Sequence, residues 1–500
     1  MSRALEVQPG ARLPLPPIVI IGIAFGAAPA VGAAMAFAPR LGIALVVGLC
    51  YLPLVLINVR LGIVLWLPSV ALYGYAALDV GPSLAGILIL SAWIGAFALL
   101  RSSVPEMVVE HRRVLLAVGA MLLWILVSTA WAVNPDPGSE IVINWLVAGA
   151  IVLVISTLIT DRRYVRLAAG ALVAGAVVSV AIGFAGAVQG GTSRIVGGSG
   201  DPNFLAAGIV PAIVLALALA AGSRHPALRF AVLPIVALLV IGLVGTQSRG
   251  GLIAAGVAAA TALVLAKRQR KWVIIGLLWM VGAALAWFLA APGAWERMTD
   301  FEESNGRSEL WSVAWQMWQD HPVVGVGLDA FRDNAAQYSR ELGPLEFADF
   351  LTEQPKFVHN SFLELLAETG IIGLVLFLSV VAGCLACAWQ AAGRFERLGD
   401  TAMAGLSRGV VVAMLAILTA GMFISGQTDR RMWVVLALGP ALWAAAKREA
   451  TTRTTSLRET GQRAPARPPL AEPVPVHLRP SAVTIPSGRQ AVRSERRQTP

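Results

Sequence analysis

Apolar runs of membrane-spanning length, about 20 residues each, succeed one another along most of this chain, broken by short polar turns. The pattern predicts fourteen helices, at 18–38, 41–57, 61–78, 83–100, 114–133, 141–160, 167–188, 204–222, 229–247, 251–266, 272–291, 370–389, 409–425 and 432–446. Pro29, Pro53 and Pro68 interrupt the first three, and neighbouring helices tolerate such kinks. A membrane β-barrel would show short alternating segments instead. One long polar stretch breaks the series, from Pro292 to Val358. Inside it Trp311, Trp315 and Trp318 recur at helical spacing. Leu310, Val313, Ala314 and Met317 widen the apolar face, which predicts an amphipathic helix lying on the membrane or on the bundle. The expected fold is an all-α polytopic membrane protein, with about 12–14 transmembrane helices and one large extracytoplasmic helical loop.

Composition points the same way. Of 500 residues, 57% are hydrophobic and 14% charged, where a soluble domain runs near 45–50% and about 25%. The charges also orient the chain. One set of loops carries Arg60; Arg101, Arg112 and Arg113; Arg162, Arg163 and Arg166; Arg224 and Arg229; Lys267, Arg268, Arg270 and Lys271; and Arg394, Arg397 and Arg408. The alternate loops Asp79–Pro82 and Asn134–Glu140 have no Lys or Arg. The positive-inside rule makes the first set cytoplasmic, with both termini inside and Pro292–Val358 outside. The expected organisation is a cytoplasmic N-terminus (1–17), transmembrane helices (18–291), an extracytoplasmic helical loop (292–360), further transmembrane helices (361–446) and a disordered basic cytoplasmic tail (447–500).

The net charge of +10 raises the question of nucleic acid. From Thr451 to Pro500 nine arginines stand against three glutamates, so +6 belongs to the tail, and the rest is spread over short loops. No nucleic-acid partner is expected; the partner surface is the lipid bilayer. The first apolar run, Ile18–Ala38, ends in Ala36-Phe37-Ala38, which resembles a signal-peptidase site. It exceeds the usual apolar core of about 7–15 residues, so an uncleaved helix is expected. Cys50, Cys384 and Cys387 lie in apolar runs and read as packing residues.

Against this topology, arginines on the outer side need a reason: Arg40, Arg194, Arg249, Arg430 and Arg431. Arg249 sits in Thr246-Gln247-Ser248-Arg249-Gly250-Gly251, a turn too short to leave the membrane surface. Ser248 and two glycines beside it suit an anion site, and a snorkelling interfacial arginine is the other reading. Arg194 lies in the Gly-rich loop Gln189–Asn203, where guanidinium and backbone N–H groups can approach phosphate. Asp201 and Asn203 read as caps of the next helix. Arg307 precedes the Trp helix and faces either a site or solvent, and His321 reads as a turn residue.

The most informative segment is His359-Asn360 and the helix it opens. An imidazole titrates near neutrality, and here it stands at the mouth of a transmembrane helix. Asn360 can cap a helix from Ser361; Glu364 and Glu368 share one face of it; Gly370 and Gly373 allow close helix approach.

His359-Asn360, the nine residues Ser361–Thr369, then Gly370 and Gly373 resemble the signature of the O-antigen ligase/polymerase family of membrane glycosyltransferases. The resemblance continues through Ser248-Arg249-Gly250-Gly251, Asp201-Pro202-Asn203 and the stretch from Gly306-Arg307 to Phe331, and covers Arg112 to Ala446. It implies a donor glycan on a polyprenyl diphosphate and an acceptor hydroxyl on a glycan or glycolipid. It implies no cofactor, metal or nucleotide sugar, and a site on the extracytoplasmic face of the cytoplasmic (inner or plasma) membrane. The catalytic role falls on His359 and diphosphate binding on Arg249, Arg194 and Arg307. Asn360, Ser248 and Glu364 are expected in support.

That chemistry suits the residues. Diphosphate is a good leaving group, guanidinium groups stabilise its charge, and a positioned base contributes about 10²–10⁴-fold. A direct displacement inverting the anomeric carbon is expected. The competing readings are a transporter or flippase of lipid-linked saccharides, a structural assembly partner and a peptidoglycan-type polymerase. A transporter would show pseudo-symmetric halves and mid-membrane ionisable groups, whereas the notable charges here cluster at the outer edge.

Overall fold

The computed structural model describes residues 51, 54–55, 58–72, 90, 111–133, 138–190, 194–265, 270–290, 306–341 and 357–459. The expected N-terminus 1–17, Arg40 and Cys50 lie outside them, as do the spans 18–38, 41–57 and 83–100 apart from a few residues. The chain divides into a main unit, Met1–Ala450, and Thr451–Pro500, of which 451–459 are described and helical. The expected tail boundary at 447 thus falls inside a helix.

Among the described residues the secondary structure is helical, without strands. In chain order the helices are α1 (Val59–Trp66, continued by a 3-10 turn, Leu67–Leu72), α2 (Arg112–Ser128), α3 (Gly138–Leu158), α4 (Arg162–Gly190), α5 (Pro202–Ala221), α6 (Pro226–Gly245), α7 (Arg249–Leu265) and α8 (Arg270–Ala290). Next come α9 (Arg307–Asp320), α10 (Phe331–Glu341), α11 (Ser361–Arg397), α12 (Thr401–Ala420) and α13 (Arg430–Glu459). Seven described helices are long and apolar enough to cross a membrane: Arg112–Trp131, Glu140–Leu158, Arg162–Gly190, Pro202–Ala221, Pro226–Gly245, Ser361–Arg397 and Thr401–Ala420. Val59–Leu72, Arg249–Leu265 and Ile274–Ala286 are shorter apolar helices. The protein is an all-α polytopic membrane protein.

Local chemistry sets the helix starts. The Asp201 carboxylate accepts from the Asn203 and Phe204 N–H groups, and Pro202 takes the first helical position of α5. Asn360 accepts from Phe362 and Leu363 to start α11, and Asp400 accepts from Met403 to start α12. Each satisfies donors that have no partner inside the helix. These caps explain why α11 and α12 begin several residues before the apolar runs that announce them.

Helices α5 and α12 form the centre, packed on each other and on α7; α5 also meets α4 and α6, and α12 meets α11. Their contact faces are rich in alanine and glycine. A methyl at Gly409 would stand 2.6 Å from Ala218. Inside a bilayer such close approach, rather than release of water, drives helix association. An aromatic line crosses the bundle: Trp145 on Trp433 at 6.0 Å, Trp433 on Phe377 at 6.0 Å and Phe377 on Phe362 at 6.1 Å, all edge-on. It joins the first turn of α11 to Phe377 beyond the Gly370 break, and through Trp433 to α13 and α3.

Helix α11 is broken at Gly370, whose backbone (φ 66, ψ −171) is not helical. The carbonyls released there find donors elsewhere. Val326 N–H donates to Ala367 O (3.0 Å), Gly327 N–H to Glu368 O (2.8 Å) and the Trp124 indole to Thr369 O (3.0 Å). Ile371 N–H donates to Pro322 O at 3.0 Å. The segment after α9, Pro322–Gly327, thus replaces the missing helical bonds. Gly370 therefore serves a left-handed break, not only the close helix approach expected of it, while Gly373 sits against Thr369 and Trp124.

Charges at one end of the bundle are paired. Arg60 meets Asp161 (3.2 Å), Arg162 lies between Asp400 and Glu449 (3.3 and 3.4 Å), and Arg408 meets Glu396.

Candidate functional site

The predicted residues lie after α4, between α6 and α7, at the start of α9 and before α11, and hydrogen bonds link some of these places. The turn between α6 and α7 is the first anchor. Gln247 adopts φ 51, and this tight reversal places Arg249 at the first position of α7. Ser248 Oγ donates to Asn203 Oδ1 at 2.8 Å and accepts from Gly251 N–H at 3.2 Å, tying the turn to the start of α5. Arg194 Nε donates to Thr246 O at 3.1 Å and Ile195 N–H to Gly245 O at 2.9 Å, so the Gly-rich loop lies on the same turn.

Arg307 reaches this place from the far side of the sequence. Burial pushes its guanidinium pKa down from the usual value; the Asp201 carboxylate raises it and the Arg249 cation lowers it further. Arg307 is therefore within electrostatic reach of both Arg249 and Asp201. Asp201 has two duties, capping α5 and favouring the charge of Arg307.

His359 is held from three sides. It adopts φ 54, a left-handed conformation that costs a non-glycine residue on the order of 1–3 kcal/mol. Its N–H donates to Ser425 Oγ at 2.9 Å. Just before it, the Trp311 indole donates to Val358 O at 3.1 Å, and Trp311 lies one turn beyond Arg307 on α9. Just after it, Asn360 caps α11. Ser361 fastens the same turn to the α12–α13 loop: its N–H donates to Gly421 O (2.8 Å), its hydroxyl donates to Ile424 O (2.8 Å) and accepts from Gly426 N–H (2.8 Å). That loop also meets the arginine turn, because a methyl at Gly250 would stand 2.7 Å from Phe423.

Among known proteins, residues 234–378 match the family model described as O-antigen ligase. An O-antigen ligase of Pseudomonas aeruginosa is 28% identical over 217 residues, 42% of this chain and 48% of that protein. Both matches are to the family that the sequence motifs resemble. The chain spans about half the length of the curated relative it matches. The region matched by the family model runs from within α6 to the middle of α11 and takes in Ser248, Arg249, Arg307, His359, Asn360, Glu364, Gly370 and Gly373. Arg194 lies before it and the α12–α13 loop after it.

Glu364 is buried under the first turn of α11 and accepts from Ser425 Oγ and from Gln427 Nε2 (2.8 Å). Glu368, one turn on, accepts from Phe331 N–H at 3.4 Å and so holds the start of α10. The two glutamates share a face as expected but divide the work: one faces the α12–α13 loop, the other the polar segment after α9. Of the further arginines read as outer-face, Arg431 is paired bidentately with Asp429 (2.6–3.0 Å) and donates to Phe204 O (2.8 Å), a structural arrangement. The Trp helix buries Leu310, Val313, Ala314 and Met317, and exposes Trp315.

Among the described residues no group of three His, Cys, Asp or Glu side chains comes together to hold a metal ion. A small, mainly apolar cleft lies beside α5, lined by Leu172, Leu205, Ile209, Ala212, Leu215 and Arg431 among others; it contains none of the predicted site residues. Sequence reasoning missed Ser425 and Gln427. Their signal was present: Ser425-Gly426-Gln427-Thr428-Asp429 is a polar run between two apolar ones, next to the arginines that drew attention.

Proposed function

We propose that this protein is a membrane glycosyltransferase that moves a glycan from a polyprenyl-diphosphate carrier to an acceptor hydroxyl on a glycan or glycolipid. The transfer takes place at the extracytoplasmic face of the cytoplasmic membrane. Arg249, Arg307 and Arg194 hold the donor diphosphate. His359 takes the proton from the acceptor hydroxyl as its oxygen attacks the anomeric carbon, and the glycosyl–phosphate bond breaks with both electrons going to the departing diphosphate. Ser248 and Asn360 fix the two turns that present these groups, and no metal enters the reaction.

One observation carries this reading. Arg249 and Arg307, distant in sequence, come within electrostatic reach of each other beside the Asp201 carboxylate, at a place where burial disfavours the Arg307 charge. A diphosphate favours the charge of the half-buried Arg307 and meets both cations, and it does so most as charge builds on the leaving group. His359 is reached from this neighbourhood through Trp311 on α9 and through Phe423 beside Gly250.

The test is glycan transfer in vitro from a defined polyprenyl-diphosphate glycan. His359→Ala is expected to abolish transfer while membrane insertion and abundance stay normal. Transfer at the wild-type rate by that variant removes His359 from the chemistry, and a protein that moves the lipid-linked glycan across a bilayer without transferring it is a transporter.

A further inference from the structure

The α12–α13 loop lies outside the motifs that mark the arginines and the histidine, yet it bonds directly to His359. We infer that Ser425 is a positioning residue: its hydroxyl accepts the His359 backbone N–H and, by fixing that backbone, holds the imidazole where the acceptor proton is taken. This rests on the reading of His359 as the base.

The geometry points to one direction of bonding. Glu364 is buried and its two carboxylate oxygens are shared between Ser425 Oγ and Gln427 Nε2. A backbone N–H can only donate, so Ser425 Oγ accepts from the His359 backbone and its hydroxyl hydrogen is left for Glu364. Gln427 is in turn held by its backbone, since the Trp433 indole donates to Gln427 O at 2.9 Å. Trp433 is fully buried in the aromatic line of the bundle. The chain of contacts therefore runs from the rigid core through Gln427, Glu364 and Ser425 to the left-handed backbone of His359. A left-handed residue persists only where its surroundings over-determine it. Without the Ser425 bond His359 can relax toward φ below zero, and its side chain swings away from the direction set by α11. Folding alone does not need this bond, because Ser361 already fastens α11 to the same loop through Ile424 and Gly426.

The experiment uses the full chain in liposomes with a polyprenyl-diphosphate glycan as donor. Three variants are compared, Ser425→Ala, Ser425→Thr and His359→Ala. Ser425→Ala is expected to lower kcat on the order of 10-fold to 100-fold, the cost of a small misplacement of a reacting group, with donor KM unchanged. Ser425→Thr keeps the hydroxyl and is expected to restore most of kcat. A second readout needs no turnover: the rate at which diethyl pyrocarbonate modifies His359, followed by peptide mass spectrometry against pH, should change in Ser425→Ala and return in Ser425→Thr. Should Ser425→Ala not insert, Ser425→Cys keeps the shape with a weaker acceptor and is expected to lower kcat in the same way. Wild-type kcat and wild-type His359 modification in Ser425→Ala, alongside an inactive His359→Ala, overturn the positioning role. An active His359→Ala overturns the base assignment instead.

Discussion

At the scale of single residues, the site is a set of backbone conformations that side chains dislike, each held by named bonds. Gln247 and His359 both have positive φ, and each precedes or carries a residue given a functional role. Arg249 is the clearest test of the arginine cluster. Arg249→Ala is expected to weaken donor binding by about 1.5–3 kcal/mol, the range for hydrogen bonds to charged groups, or roughly 10-fold to 150-fold in Kd. Titration of purified protein with a fluorescent polyprenyl-diphosphate glycan reads this directly, and an unaltered Kd takes Arg249 out of the site. Arg249→Lys should recover only part of the loss, because an ammonium cannot make the bidentate contact of a guanidinium. The residue types were legible in the chain; their partners were not, since Asp201 beside Arg307 and Ser425 beside His359 are far apart in sequence.

At the scale of elements, the signature glycine Gly370 acts through the path of a helix. It lets α11 break, and the break opens carbonyls that the segment Pro322–Gly327 and Trp124 satisfy. The polar loop is thereby bolted to a transmembrane helix. Gly370→Ala gives a test by sign. In a continuous helix the substitution stabilises by about 1 kcal/mol. At φ 66 a side chain costs about 1–2 kcal/mol, and here its methyl also collides with the Val323 carbonyl. The expected result is a fall in the unfolding midpoint in detergent, and a rise would mean that α11 runs straight. The apolar run from 370 to 389 announced this helix, and Asn360 announced its capped start at Ser361; the burial of its first nine residues was not legible, because it depends on the loops that cover them.

At the scale of the whole molecule, the arginine-rich loops expected inside include the paired charges Arg60, Arg162 and Arg408 at one end of the bundle, while His359, Arg249 and Arg307 belong to the other set of loops. Orientation in the membrane is testable by labelling. In a background with the three native cysteines replaced, Ser308→Cys is expected to react with a membrane-impermeant maleimide added to intact cells, and Arg397→Cys only after the membrane is opened; both positions are exposed on the protein. The reverse pattern inverts the topology and with it the side on which transfer takes place. The amino-acid sequence by itself determined the class, the positions of the apolar spans and the residue types able to handle a diphosphate and a proton, because hydropathy over about twenty residues and the chemistry of His and Arg are local properties. Tertiary structure alone decided that Arg307 comes within electrostatic reach of Arg249, that Gly370 breaks the helix as well as packing closely, and that Ser425 and Glu364 stand behind His359. Those facts depend on which loop ends the bundle brings together, and helix packing between small residues leaves no periodic trace in the chain that would say which helices are neighbours.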